Sequence, residues 1–392
     1  MRRILFDMIS TQGFINGGAE YVIRVFEELM RTIAEGMEPA EVHCLFARNK
    51  EYVYLDYTPD AVDGRFPATK IVFLEDASLE EIVGKNDIDV MFIGIGQRYS
   101  TQDFSRLSCR VVIVIHDVYT EEIGDFDLLN KLLLNNKWLI MKSIVRSKVA
   151  LMLGKTRRNI DSKFIRGLGY LKNTEIVTVS EYSKNSLMLF GNIREERIMV
   201  LYSPEKICEV SQTVQSEELK RFLELRKKYI MIVSADRPYK NAMNALLAFK
   251  KYRESYDDEI VILTIGLSQS LFEGHYCMPF LSASDLEHAY RNCHALLYPT
   301  LIEGFGYPPQ EVMKYGKPVL ASNVCSIPEV YGQAPVYFSP YYKSDIVFAL
   351  RKLKENYSEY SNRSRQRYRE VADRQKTDLE KLIRKILYPS GI

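Results

Sequence analysis

The sequence predicts an α/β protein of two doubly wound, Rossmann-like domains that face each other across a cleft. Three observations predict it. The chain has 392 residues, about twice a typical single domain, so two units with separate cores are expected. In each half, short β-branched runs alternate with stretches of helical period, the pattern of a parallel sheet flanked by helices. Between Leu201 and Tyr229 that alternation fades into Ser203-Pro204 and the polar run Ser211 to Glu218, which reads as the connection between domains.

The first half offers strands at Arg3 to Met8, Val42 to Phe46, Lys70 to Leu74, Asp89 to Ile93, Arg110 to Ile115 and Glu175 to Val179, with Arg197 to Leu201 closing the domain. The second half repeats the scheme: strand Tyr229 to Ser234, helix Ala242 to Tyr256, strand Glu259 to Ile265, helix Ser284 to Asn292, strand Ala295 to Tyr298, helix Pro308 to Tyr315 and strand Lys317 to Ala321. From Tyr342 the tail is charged and helical in period, with no Gly or Pro until Pro389, so one or two long surface helices are expected. Domains are placed at 1–205 and 206–371, with a final helix at about 372–392 packing back on the first domain.

Composition excludes several classes. The 53 basic and 51 acidic groups nearly cancel, to +2, which argues against a nucleic-acid binder. Six cysteines are scattered singly, without the paired spacing of metal knuckles or redox motifs, and fit a reducing cytoplasm. Asp7 interrupts the apolar run that a secretory signal starting at Met1 would need, and no stretch reaches the eighteen or so apolar residues of a membrane span. One region does gather charge. Lys131 to Lys172 carries eleven Lys and Arg against Asp161 alone, interleaved with apolar runs. This pattern suits contact with an anionic membrane surface or a diphosphate-linked lipid acceptor, and equally suits helices that cover a sheet with a solvated basic face.

In open α/β sheets, ligands bind beyond the carboxyl ends of the strands, so the loops there are where chemistry is sought. Pro299 to Glu311 lies between a strand and a helix and contains Glu303-Gly304-Phe305-Gly306, then Pro308-Pro309, then Glu311. Glycines allow close backbone approach, a proline suits the first helical turn, and the two carboxylates are good acceptors for vicinal sugar hydroxyls. Spacing alone leaves a plain strand-to-helix turn with solvated acids equally open. Asp236-Arg237-Pro238-Tyr239-Lys240-Asn241 follows the first strand of the second half, and its Arg237 and Lys240 offer one fork and one point charge to a diphosphate. Gly13 to Glu20, with Gly17-Gly18, follows the first strand but lacks the dinucleotide fingerprint, so NAD binding is disfavoured. His116-Asp117 ends the strand Val111 to Ile115, and a lone histidine there is more often structural than catalytic. No His, Cys, Asp or Glu spacing suggests a metal site.

The Glu-Gly-Phe-Gly run, the second Glu eight positions on, Gly316-Lys317-Pro318-Val319 and Pro328-Glu329-Val330 with Gly332 together resemble the signature of the family 4 glycosyltransferases, retaining enzymes of GT-B fold. The resemblance covers about Tyr229 to Leu350. It implies that Glu311 takes the ribose hydroxyls of a donor nucleotide and Glu303 those of the transferred sugar, with Gly304, Phe305 and Gly306 near the donor sugar and phosphates. It also implies that Lys240 and Arg237 stabilise the leaving diphosphate. Some family members place the Arg directly before the Lys, where this chain has Tyr239, which weakens the case for Arg237 relative to Lys240. Gly17 and Gly18 would line the cleft near donor phosphates and acceptor, and His116 would lie beside the transferred sugar.

The expected activity is transfer of a sugar from a nucleotide sugar to a hydroxyl of a glycan, lipid-linked or other acceptor in bacterial-type polysaccharide assembly. Retention by front-face attack needs neither a metal, nor a cofactor, nor a protein nucleophile. The expected location is the cytoplasm, with peripheral contact at the inner face of the membrane through 131–172. Two other readings are kept: a sugar-nucleotide epimerase or hydrolase of the same fold, and a non-catalytic partner of another transferase. Alanine at Lys240 or Glu303 is expected to abolish transfer with little effect on folding.

Overall fold

A computed structural model describes residues 1–13, 15–36, 39–122 and 157–388. Most of the basic segment, through residue 156, therefore lies outside the described residues. The chain forms two compact units: Met1–Gly124 with Arg146–Lys206 and Arg374–Ile392, and a second that includes Ile207–Asp373.

The first unit is built on seven parallel strands: β1 (Arg2–Asp7), β2 (Ala40–Phe46), β3 (Thr69–Phe73), β4 (Val90–Ile93), β5 (Arg110–Val114), β6 (Thr174–Thr178) and β7 (Ile198–Val200), in the order β3-β2-β1-β4-β5-β6-β7. Helices cover parallel strands on both faces, so the central ones read as unbroken apolar runs. Ile4, Leu5 and Phe6 are all buried, as are Val90 to Ile93 and Val111 to Val114. The helix Gly17–Ala34 starts where the Asn16 side chain caps Ala19 N at 3.0 Å, and it buries Ala19, Val22, Phe26 and Leu29 at helical spacing. The chain runs outward from β1 through β2 to β3 and then returns to the other side of β1 at β4, which makes the gap between β1 and β4 the switch point.

The described remainder of the basic segment begins with the helix Arg157–Leu168. It buries Phe164, Ile165 and Leu168 in the sheet-covering core and leaves Lys163 and Arg166 exposed.

The second unit has six parallel strands: β8 (Tyr229–Ile232), β9 (Val261–Ile265), β10 (His275–Met278), β11 (Ala295–Tyr298), β12 (Val319–Ser322) and β13 (Val336–Phe338), in the order β10-β9-β8-β11-β12-β13. Its switch point lies between β8 and β11. The helices Ala242–Tyr256 and Lys343–Glu355 pack on one face, through Leu246, Phe249, Ile346 and Leu350. Besides Arg226 in the connecting stretch, three non-glycine residues of this unit hold left-handed backbone, Ser234 (φ 54°) and Asn241 (φ 54°) after β8 and Cys325 (φ 53°) after β12. All three follow strand ends, where such strain collects around functional loops.

β10 and β13 were not expected from the sequence. They are the two edges of the sheet, three or four residues long, and each keeps partly exposed side chains, so their apolar signal is weak. The connecting stretch also holds a helix, Glu217–Glu224, capped by Ser216 and buried through Leu219 and Phe222. The tail forms the helix Tyr357–Leu387, whose last turns bury Leu379, Leu382, Ile383, Ile386 and Leu387 in the first unit. There Arg110 Nη2 donates to the carbonyls of Lys385 (2.7 Å) and Ile386 (3.1 Å), and Arg2 donates to that of Leu387, placing cations on the negative end of the helix.

Candidate functional site

In the second unit, the loops after β8 and β11 flank the switch point and are bonded to each other. Leu301 N donates to Tyr239 O at 2.7 Å, and Thr300 Oγ1 lies 3.3 Å from the same carbonyl. Lys240 ends a short 3-10 turn, Pro238–Lys240, at the foot of the β8 loop, and only 7% of its side chain is exposed. Its ammonium donates to Glu303 Oε1 (2.5 Å) and to Tyr298 Oη (2.8 Å), and lies 4.6 Å from the centroid of the Tyr298 ring. Glu303, with 13% of its side chain exposed, also accepts from Thr300 Oγ1 at 2.9 Å. Burial, then the Glu303 charge, hold the Tyr298 hydroxyl well above the ordinary phenol range, so it keeps its proton beside the pair.

The second carboxylate is fixed from another side. Glu311 lies in the second turn of the helix Tyr307–Met313 and accepts from Tyr290 Oη at 2.7 Å, Tyr290 being buried on the helix Ala283–Asn292. The buried Tyr331 senses both acids. Burial raises its hydroxyl well above the usual range, with Glu311 and then Glu303 adding to the shift, so the two carboxylates share one neighbourhood. Tyr331 Oη donates to Gly306 O. Gly306 needs to be glycine, because its φ is +89° and a Cβ there would come within 2.7 Å of Ile327 Cδ1. Gly304 and Phe305 are buried beside it. Arg237, half-buried in the β8 loop, donates to Tyr239 Oη at 3.2 Å. Lys240, Arg237, Glu303, Gly304, Phe305, Gly306 and Glu311 thus gather around one switch point.

Gly17, Gly18 and His116 belong to the first unit, and they group at its own switch point. A Cβ on Gly18 would lie 2.8 Å from Ile95 Cδ1, so glycine here lets the helix start approach the β4 loop. His116, half-buried, bonds Gly94 O through Nε2 at 2.9 Å, and its ring meets Tyr21 edge-on with centroids 4.8 Å apart. A carbonyl only accepts, so Nε2 carries the proton. Burial lowers the proton affinity of the ring, which leaves Nδ1 as an acceptor at neutral pH.

Sequence reasoning did not find Tyr298, Thr300, Tyr290 or Tyr331. A tyrosine closing a buried strand or lining a helix reads as core, and only the fold shows that the Tyr298, Tyr290 and Thr300 hydroxyls bond charged groups and that of Tyr331 the Gly306 carbonyl. The structure revises one expectation on physical grounds. Lys240 and Glu303 form a buried ion pair, so removing either partner alone strands the other charge and costs about 3–5 kcal/mol of stability.

Over nearly its full length the chain resembles solved GT-B glycosyltransferases. One is a glycosyltransferase from Rickettsia africae ESF-5, with a TM-score of 0.65 and 14% identity over 99% of both chains. Another is WaaG, a glycosyltransferase involved in lipopolysaccharide biosynthesis, with a TM-score of 0.62 and 14% identity over 100% of both chains. The fold is therefore GT-B. Residues 215–374 match the family described as glycosyl transferases group 1. The O-antigen chain mannosyltransferase RfbU of Salmonella typhimurium LT2 is 28% identical over 187 residues, 45% of this chain and 50% of that protein. The serotype-specific mannosyltransferase WbdA of Escherichia coli is 34% identical over 129 residues, 33% of this chain and 14% of that protein. The chain thus matches half or less of the length of these relatives.

Proposed function

We propose that the chain is a retaining glycosyltransferase that moves a mannosyl group from a nucleoside diphosphate donor to a hydroxyl of a glycan or lipid-linked acceptor in bacterial polysaccharide assembly. The observation that carries this reading is the buried Lys240–Glu303 pair at the β8/β11 switch point, with Glu311 in the same neighbourhood. A buried cation beside the carboxyl ends of two parallel strands suits an anionic leaving group, and two oriented carboxylates suit the hydroxyls on either side of it. The relatives RfbU and WbdA, both named mannosyltransferases, supply the choice of sugar.

In the reaction, the bond from the anomeric carbon to the diphosphate oxygen breaks, and the acceptor oxygen bonds to the same face of that carbon. The acceptor proton passes to the departing phosphate oxygen. Lys240 and Arg237 stabilise the charge that grows on the diphosphate, Glu303 orients the sugar, and Glu311 holds the ribose. The chemistry calls for no metal ion. The reading is tested by supplying nucleoside diphosphate-mannose with each common base, plus a glycan acceptor, and following the transferred sugar. Because the single variants strand a charge, the double variant Lys240→Met/Glu303→Gln is the cleaner control. It should lower kcat/KM at least about a thousandfold while staying folded, and a folded double variant with near-normal transfer would overturn the assignment.

A further inference from the structure

A cavity of about 360 Å³ opens at the carboxyl ends of β12 and β13 in the second unit. That volume is at the lower end of the roughly 300–1,000 Å³ usual for small-ligand sites. Asn323, Tyr337, Phe338, Ser339, Tyr341 and Asp345 line it. The lining is held in place. Asn323 N donates to Phe338 O at 3.0 Å, one step past the end of β12, and the Tyr337 hydroxyl donates to Gly332 O at 2.7 Å. Both walls are also fastened to the loops that carry Lys240 and Glu303. Asn241, the residue after Lys240, donates through Nδ2 to Pro340 O at 2.8 Å, and in the β12 loop Ser326 Oγ donates to Glu303 O at 2.9 Å.

The lining selects a class of ligand. Among the described residues, the side chains of Asn323, Ser339 and Asp345 and the Tyr341 hydroxyl make no hydrogen bond or ion pair, so an amide, two hydroxyls and a carboxylate are left for a ligand. Tyr341 is 68% exposed and presents an aromatic face at the rim, while Phe338 is buried. These lining residues include a carboxylate but no Lys, Arg or His, which disfavours an anion such as a phosphate or a nucleotide. A neutral, polyhydroxylated ring fits instead. The carboxylate accepts from vicinal hydroxyls, the amide both donates and accepts, and aromatic carbon packs on the C–H face of a pyranose. Neighbouring strands lie about 4.8 Å apart, so β13 is about 10 Å from β11 along the same carboxyl edge. A sugar seated here is therefore within the span of a short oligosaccharide from the Glu303 loop.

We propose that this cavity is a subsite for a neutral sugar unit of the acceptor, so that the chain extends an existing glycan. Calling the glycan an acceptor rests on the transfer reading above, whereas the sugar subsite stands on the second unit alone. The test titrates the full chain with mannotriose, maltotriose and chitotriose and reads binding by calorimetry and saturation-transfer NMR. At least one of the three should saturate. Tyr341→Ala should weaken that saccharide at least about tenfold, Tyr341→Trp, which keeps a stacking face, should retain it, and Asp345→Ala should weaken it as well. Tyr341 carries the test because its side chain is exposed and makes no hydrogen bond, so its removal leaves the fold intact. No saturation by any of the three, or a Tyr341→Ala variant that binds unchanged, would overturn the subsite. In transfer assays Tyr341→Ala should raise the KM of a glycan acceptor by a similar factor, and an unchanged KM would overturn the link to the acceptor. GDP and UDP, titrated separately, report on the Lys240 and Glu303 loops, so failure of the donor reading shows there as binding of neither.

Discussion

At the scale of single residues, the site is an ion pair that the protein makes costly to break. Lys240→Met or Glu303→Gln alone should lower stability by about 3–5 kcal/mol, while the double variant should recover most of that loss, because no charge is left stranded. Denaturant unfolding of the two singles and the double measures this directly, and additive losses would show that the pair is not coupled. Much of this site was legible in the sequence. Glu303, Glu311 and Lys240 sit at motif positions whose order and spacing are specific, and Gly306 is the glycine that the loop's backbone requires. The tyrosines were not legible, because Tyr298, Tyr290 and Tyr331 are buried aromatics outside any polar motif, and only three-dimensional neighbours turn their hydroxyls into orienting groups.

At the scale of elements, interior strands were readable and edges were not. β1, β4, β5, β8 and β11 are apolar on both faces and fall within a residue or two of their expected limits, whereas β10 and β13 have one open side and too few apolar residues to stand out. The final helix shows how an element that is charged overall can still dock. Within it Asp378 is buried and accepts from Tyr202 N (3.0 Å), Arg374 Nε (3.4 Å) and Lys381 Nζ (2.9 Å), and Gln375 Nε2 donates to Ser203 O at 2.6 Å. Asp378→Ala leaves the Tyr202 amide without its acceptor, so it should destabilise the first unit by about 1–3 kcal/mol and speed hydrogen exchange at Tyr202. Unchanged protection at that amide would contradict the docking described here.

At the scale of the whole molecule, acid should weaken the fold earlier than its carboxylates alone would. Burial lowers the proton affinity of His43, His116, His275 and His294, and His294, stacked on Tyr357 and near Lys228 and Lys317, is pushed down to about 4. Each is neutral in the folded state and binds a proton more readily when unfolded. The stability they contribute is therefore present above about pH 6.5 and is lost as pH falls towards 4. Tm measured from pH 7.5 to 4.5 should fall through that window, and His294→Asn should make the fall shallower; a flat profile down to pH 5 would contradict it. The same scale explains how function was read from so little. Both units put their polar residues at the strand order's reversal, and the polar clusters of the second lie where a parallel sheet opens to a ligand. The most direct measurement is a crystal structure with nucleoside diphosphate-mannose bound. The account predicts diphosphate oxygens within hydrogen-bond reach of Lys240 Nζ and ribose hydroxyls on the Glu311 carboxylate, and a nucleotide seated away from both side chains would contradict it.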